Sequence, residues 1–157
     1  MKIKIISIGK TKEDWVATGI NEYLKRLKRY VQLEYIELAS GKIHENNTIE
    51  LALGEETKRF ESALKSGDQI FLLDNNGVES DSVEFAEWIN KRFSAGGGDL
   101  VFLIGGPYGF HDSLRNRAKQ SISLSRMTFT HQMVRIVFLE QVYRAMTILR
   151  NEPYHHF

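Results

Sequence analysis

No cysteine occurs in this 157-residue sequence, and that absence removes disulfides, thiolate metal sites and any cysteine nucleophile together. It fits a reducing compartment. Only two prolines occur, and no proline-rich or Gly/Ser stretch divides the chain. One domain over residues 1–157 is therefore expected, long enough to bury a core without staples. Long apolar runs are lacking too. MKIKIISIGK is too short for a signal peptide and nothing is long enough to span a bilayer, so the expectation is a soluble, cytoplasmic protein with no membrane partner. Two nucleotide signatures are also missing. Ile8-Gly9-Lys10-Thr11 looks like the end of a P-loop without its upstream glycine, and Gly105-Gly106-Pro107-Tyr108-Gly109 is not G-x-G-x-x-G.

What is present has a charge pattern that the net +1 hides. Residues 1–33 carry eight Lys/Arg against three Asp/Glu, residues 34–100 six against fourteen, and residues 101–157 seven against three. Two basic ends around an acidic middle suit a polyanion-facing surface built from both termini, or else ordinary solvated faces. Lys25-Arg26-Leu27-Lys28-Arg29, with Tyr23 and Tyr30 nearby, carries the same choice: a solvated helix side or a track for phosphate.

Apolar runs alternate with helix-period segments throughout. Strands are expected at Lys2–Ile8, Leu33–Leu38, Gln69–Asp74, Asp99–Gly105 and Ile122–Ser125, the last extending as far as Phe129; helices are expected near 14–30, 48–65, 81–94, 111–119 and 131–150. Strict alternation with short connections predicts an α/β fold with a mainly parallel sheet and helices on both faces. The last helix carries apolar residues in nearly every direction, which predicts a second cover and hence a homodimer. Glu140 and Arg144 are spaced to pair along it.

Three strand ends carry backbone-rich loops: Leu72–Gly77, Gly105–Gly109 and Ser123–Phe129. At one rim of a parallel sheet they would make a pocket, although each alone also reads as a turn. Thr130 is a candidate N-cap and His131 a helix-starting residue. His155 and His156 have no carboxylate or cysteine at ligand spacing, so no metal is expected. A tail with Tyr154 and His155 offers a donor, an aromatic face and a titratable base, or a frayed end.

These residues together resemble the RlmH family of SPOUT methyltransferases, small bacterial proteins that methylate N3 of a pseudouridine in large-subunit (23S) ribosomal RNA. The resemblance runs from the I-x-x-I-G-K opening and Glu22-Tyr23-Leu24 through LIGGPYGF, SLSRMTFTHQMVR and EQVYRA to PYHH. Thr130 stands where family members often have proline. The resemblance implies a C-terminal trefoil knot, S-adenosylmethionine as methyl donor, and an obligate homodimer with the site at its interface. It implies cofactor binding by Leu73, Gly105, Gly106, Leu124, Ser125, Arg126, Met127, Thr128 and Phe129. Tyr154 and His155 would position the base and assist proton loss, with Arg144 or Arg150 on phosphate or the anionic ring. The expected partner is ribosomal RNA on the assembled ribosome. Transfer RNA as substrate, another nucleotide-binding α/β enzyme and a non-catalytic ribosome-associated protein stay open alternatives.

Overall fold

Among the described residues five strands and five helices alternate: β1 (Ile3–Ile8), α1 (Asp14–Leu27), β2 (Leu33–Leu38), α2 (Ile49–Ala63), β3 (Gln69–Glu79), α3 (Ser82–Ala95), β4 (Leu100–Ile104), α4 (Asp112–Arg117), β5 (Gln120–Ser123) and α5 (Met133–Leu149). The computed structural model describes residues 2–43 and 45–156; Met1, His44 and Phe157 lie outside the described residues. The strands form one parallel sheet in the order β2-β1-β4-β3-β5. No helix among the described residues is long and apolar enough to cross a membrane.

The strand period of two sorts the core onto two faces. Ile3, Ile5, Phe71 and Phe102 pack with residues of α1, α3 and α5, whereas Ile6, Ile8, Leu72 and Leu103 pack with Phe60 of α2 and Leu114 of α4. All six residues of β1 are buried, as a strand covered on both sides requires. Local signals set the helix starts. The Thr48 hydroxyl accepts from Leu51 N–H at the start of α2, and Asp81 with Glu84 forms a capping box at the start of α3.

Two strands differ from the sequence reading. β3 runs on past Asp74 to Glu79, because Ile122 of β5 pairs with both Leu73 and Val78 while the intervening residues bulge from the ladder. β5 ends at Ser123 rather than running on towards Phe129. There the Ser123 hydroxyl donates to the Ser125 carbonyl and Met127 N–H donates to the Ser125 hydroxyl, local bonds that replace sheet pairing.

α5 packs between α1 and α3. Phe138, Leu139, Val142 and Met146 are buried, but Val137, Gln141, Arg144 and Ile148 form an outward stripe that stays half-exposed. Burial on every side, as read from the sequence, is thus met on one side only within a single chain. Inside the fold, Arg135 is fully buried, and its guanidinium gathers four acceptors. It donates to His131 O (2.9 Å), Thr11 Oγ1 (3.0 Å), Glu37 Oε1 (3.3 Å) and Ile8 O (2.8 Å), joining the start of α5 to the ends of β1 and β2.

Candidate active site

The C-terminal ends of β3, β4 and β5 enclose a cleft of about 300 Å³, at the lower end of the range that holds a small organic ligand. The β3 bulge supplies Leu73, Asp74 and Asn75; the loop after β4 supplies Gly105, Gly106, Pro107, Gly109 and Phe110; the segment after β5 supplies Leu124, Ser125, Met127, Thr128 and Phe129. Pro107 and Gly109 occupy the second and fourth positions of a turn closed by Gly109 N–H on Gly106 O at 3.1 Å, as a type I turn favours. This turn folds back so tightly that a Cβ on Gly105 would stand 2.7 Å from Gly109 O. Polar and apolar groups share the walls, Asn75, Ser125, Thr128 and His131 beside Leu73, Leu124 and Phe129, and the nearly buried Asp74 carboxylate is neutralised by Arg115 at 2.6 Å.

Eight of the nine residues expected at a cofactor line this cleft. Arg126 does not: its side chain is 90% exposed and reaches Glu79 instead, at 3.7 Å. Asp74, Asn75, Phe110 and His131 line it without having been singled out as ligand residues. The first two fall in the Leu72–Gly77 strand end that the sequence places at the rim of the sheet. His131 lies two residues ahead of α5; the Thr130 hydroxyl before it accepts from Met133 N–H at 3.1 Å, while Gln132, next to the first helical residue, makes no side-chain cap bond.

Burial first, then the positive charges of Arg135 and Lys12, hold the His131 imidazole below its ordinary range. The fold therefore favours the neutral ring. That contribution to stability is fully present above the unfolded value near 6.5 and is lost as pH falls through the lowered folded value. Between about pH 7.5 and pH 5 the melting temperature is expected to fall more steeply than in a His131→Gln variant. Parallel slopes for the two proteins would remove His131 as the cause.

The tail forms a second cluster. α5 ends in a Schellman turn: Glu152 N–H bonds Thr147 O, Asn151 N–H bonds Ile148 O, and Asn151 takes φ 55° where glycine is usual. This turns the chain back onto α5, so the tail is tied down. The Tyr154 ring packs edge-on against Tyr143 at 4.7 Å, and its hydroxyl donates to Glu140 Oε1 at 3.1 Å. Arg144 Nη2 donates to the same oxygen at 2.5 Å, and Gln141 donates to Oε2 at 2.7 Å, so the Glu140 carboxylate is well satisfied. Burial, followed by hydrogen bonding with Tyr23 and the Glu140 charge, holds the Tyr154 phenol above its usual range. At neutral pH it is a donor.

Arg144 Nη1 lies 3.2 Å from His155 Nδ1. A guanidinium only donates, so Nδ1 accepts and the neutral ring carries its proton on Nε2. Arg150 is placed apart from this group, over the Tyr30 ring at 4.7 Å. Val134 lines the cleft, and Arg144 lies ten residues further along α5, about 15 Å at the helix rise. Within one chain the cleft and the tail cluster are therefore separate. Among the described residues, no group of three or more His, Cys, Asp or Glu is placed to hold a metal ion.

A family model described as "Predicted SPOUT methyltransferase" matches residues 1–155. The "Ribosomal RNA large subunit methyltransferase H" of Trichlorobacter lovleyi is 47% identical over 156 residues, covering 99% of this chain and 100% of the relative. The protein of the same name from Cytophaga hutchinsonii is 44% identical over 156 residues, with 99% and 100% covered. Among solved structures, a probable methyltransferase from Bordetella pertussis superposes with a TM-score of 0.57 at 12% identity, over 92% of this chain and 94% of that one. A probable methylase family protein from Haemophilus influenzae gives 0.56 at 12% identity, over 99% of this chain and 70% of that one. At such identity the structural likeness speaks to the fold alone.

Proposed function

The chain belongs to the SPOUT methyltransferases, and we propose that it transfers a methyl group from S-adenosylmethionine to N3 of a pseudouridine in large-subunit ribosomal RNA, on the assembled ribosome. The observation that carries this reading is the full-length likeness, near half the residues, to proteins named as large-subunit ribosomal RNA methyltransferases. We take the whole chain as one domain serving both cofactor and RNA, with the segment leading into α5 threaded as the trefoil that family membership implies.

The cleft fits the cofactor. Leu73, Leu124 and Phe129 offer apolar walls for an adenine ring, and the side-chain-free Gly105 and Gly106 let a ligand approach the backbone closely. Bound there, S-adenosylmethionine supplies an electrophilic methyl group on a sulfonium. Substrate-side groups must come from elsewhere, because Arg144, which bonds His155 and lies over the Tyr154 ring, is about 15 Å along α5 from Val134 at the cleft of its own chain. A homodimer resolves this: the tail of one subunit serves the cleft of the other, and the half-exposed stripe of α5 is covered.

In this arrangement Arg144 and the His155 Nε2–H face the target base as donors. Their task is to stabilise the ring anion left when N3 gives its proton to solvent water, and to hold that nitrogen in line with the methyl group. Tyr154 buttresses Arg144, whose guanidinium lies 4.9 Å over its ring. No covalent adduct is needed, which agrees with a chain that has no cysteine.

The test is methyl transfer from labelled S-adenosylmethionine to ribosomes lacking the modification, beside free ribosomal RNA and transfer RNA, with the product nucleoside mapped by mass spectrometry. 3-Methylpseudouridine on ribosomes is expected. Label confined to transfer RNA would overturn the substrate. An Arg144→Lys variant keeps the charge but loses the fork shared by Glu140 and His155, so kcat should fall about 10- to 100-fold with cofactor affinity unchanged. An unchanged kcat would remove Arg144 from the reacting site.

A further inference from the structure

The cations at the end of α1 have no part in the chemistry above, yet their setting is built. Lys25, Arg26, Lys28 and Arg29 fall within five residues and all four are exposed. Val16, Ile20 and Leu27 turn the apolar stripe of α1 to the core, which leaves the charged side to solvent. Arg29 lies 4.7 Å over the Tyr30 ring, and Arg150, arriving from the end of α5, lies over the same ring at 4.7 Å. One tyrosine thus orders two guanidinium groups from distant parts of the chain. The Tyr30 hydroxyl also donates to the Glu152 carboxylate, which Arg29 reaches at 3.5 Å. The cationic surface is therefore fastened to the root of the tail that bears Tyr154 and His155.

We propose that this surface, the end of α1 together with Arg150, binds the RNA phosphates that flank the target nucleotide. The inference rests on the methyltransferase reading and names the part of the chain that grips the strand while the tail meets the base.

Charge supports it. Among the described residues, ion pairs tie Arg26 to Glu22 and Arg29 to Glu152, while none joins Lys25, Lys28 or Arg150 to a carboxylate. The acidic α2 lies on the opposite face of the sheet, and α3 lies across α5 from α1. Guanidinium groups stacked on a ring keep N–H edges for phosphate oxygens. Ring contacts run from this surface to the tail, Tyr30 to Tyr143 at 5.6 Å and Tyr143 to Tyr154 at 4.7 Å, and fix the cations relative to the tail. An anionic lipid surface would call for apolar side chains projecting among the cations. Here the rings pack on one another.

The test compares the protein with a Lys25→Ala/Lys28→Ala variant, which touches neither cleft nor tail. At about 0.15 M salt the variant should bind a large-subunit RNA fragment carrying the target about tenfold more weakly. Its log K against log salt should be flatter by about one to two, and a Lys25→Arg/Lys28→Arg pair should restore both. In turnover KM for ribosomes should rise while kcat, cofactor affinity and melting temperature hold. Equal RNA affinity and equal salt slope would overturn the proposal, whether or not the protein methylates. Failure of the unaltered protein to label any RNA would instead overturn the methyltransferase reading, with the binding comparison still deciding this surface. Undiminished RNA binding with lost binding to phosphatidylglycerol vesicles would overturn it in favour of a membrane.

Discussion

A Gly105→Val variant is expected to bind no measurable S-adenosylmethionine and to transfer no methyl group, while Gly105→Ala loses about one to two decades of affinity. The reason is steric and local. A Cβ at this position would stand 2.7 Å from Gly109 O, 3.1 Å from Gly109 C and 3.3 Å from Phe110 Cζ. The carbonyl cannot withdraw freely, because Gly106 and Gly109 close the turn on each other and Phe110 is anchored in the core. Overpacking of this kind costs about 1–3 kcal/mol for one added carbon, and the loop wall moves into the space the cofactor would take. At Gly106 a Cβ would meet only Ile8 Cγ2 at 3.5 Å and the Glu56 carboxylate at 3.7 Å, ordinary contacts, so Gly106→Ala should leave the loop in place and any affinity it loses reports close approach of the ligand itself. Titration calorimetry with the cofactor, beside thermal melting, separates loss of the site from loss of the fold. Normal binding by Gly105→Val would mean that the loop after β4 is not the cofactor cradle.

Arg135→Met is expected to lower the melting temperature by about 10 °C, from a loss near 3 kcal/mol in a chain of this size. The methionine fills much of the space, so the loss comes from hydrogen bonding. Ile8 O loses the donor 2.8 Å away in a region closed to water, whereas Glu37 is partly open and can be rehydrated. Arg135→Lys should recover a minority of the loss, because a single ammonium cannot span Ile8, Thr11 and His131 together. The His131 carbonyl is one of the four acceptors and His131 lines the cleft, so cofactor affinity should weaken in step. A melting shift under about 3 °C would show that burying the guanidinium costs nearly as much as its contacts return.

The α/β alternation and the helices were legible because their signals are local: continuous apolar runs in β3 and β4, the Asp81–Glu84 box, and a final helix free of glycine and proline. Helix ends fell within about three residues of the sequence reading. The bulge in β3 was not legible. Asp74-Asn75-Asn76-Gly77 has turn composition, and only the neighbouring strand shows that pairing resumes at Val78. Gly77 is there for close approach, since a Cβ would stand 2.6 Å from the backbone of Ile122. The cleft residues after β5 are those that the resemblance implies, Arg126 among them; the Arg126 side chain reaches Glu79 rather than the cleft. Arg135 showed nothing in sequence beyond a polar residue in an apolar helix; its four acceptors lie up to 127 residues away.

The strand order β2-β1-β4-β3-β5 has a consequence for how the chain comes into being. β4 fills the place between β1 and β3, so a nascent chain that has reached the end of α3 still holds both of those edges open. β1, whose six residues are all buried in the finished fold, stays unsheltered on one side while the next ninety or so residues are made. Contacts this distant close slowly and leave apolar edges available to other chains meanwhile, so production should depend on chaperones more than the small size suggests. The last elements to be made are α5 and the tail, which carry the groups proposed to meet the substrate. On that proposal a partly made chain is silent, because its sheet is complete before those groups exist.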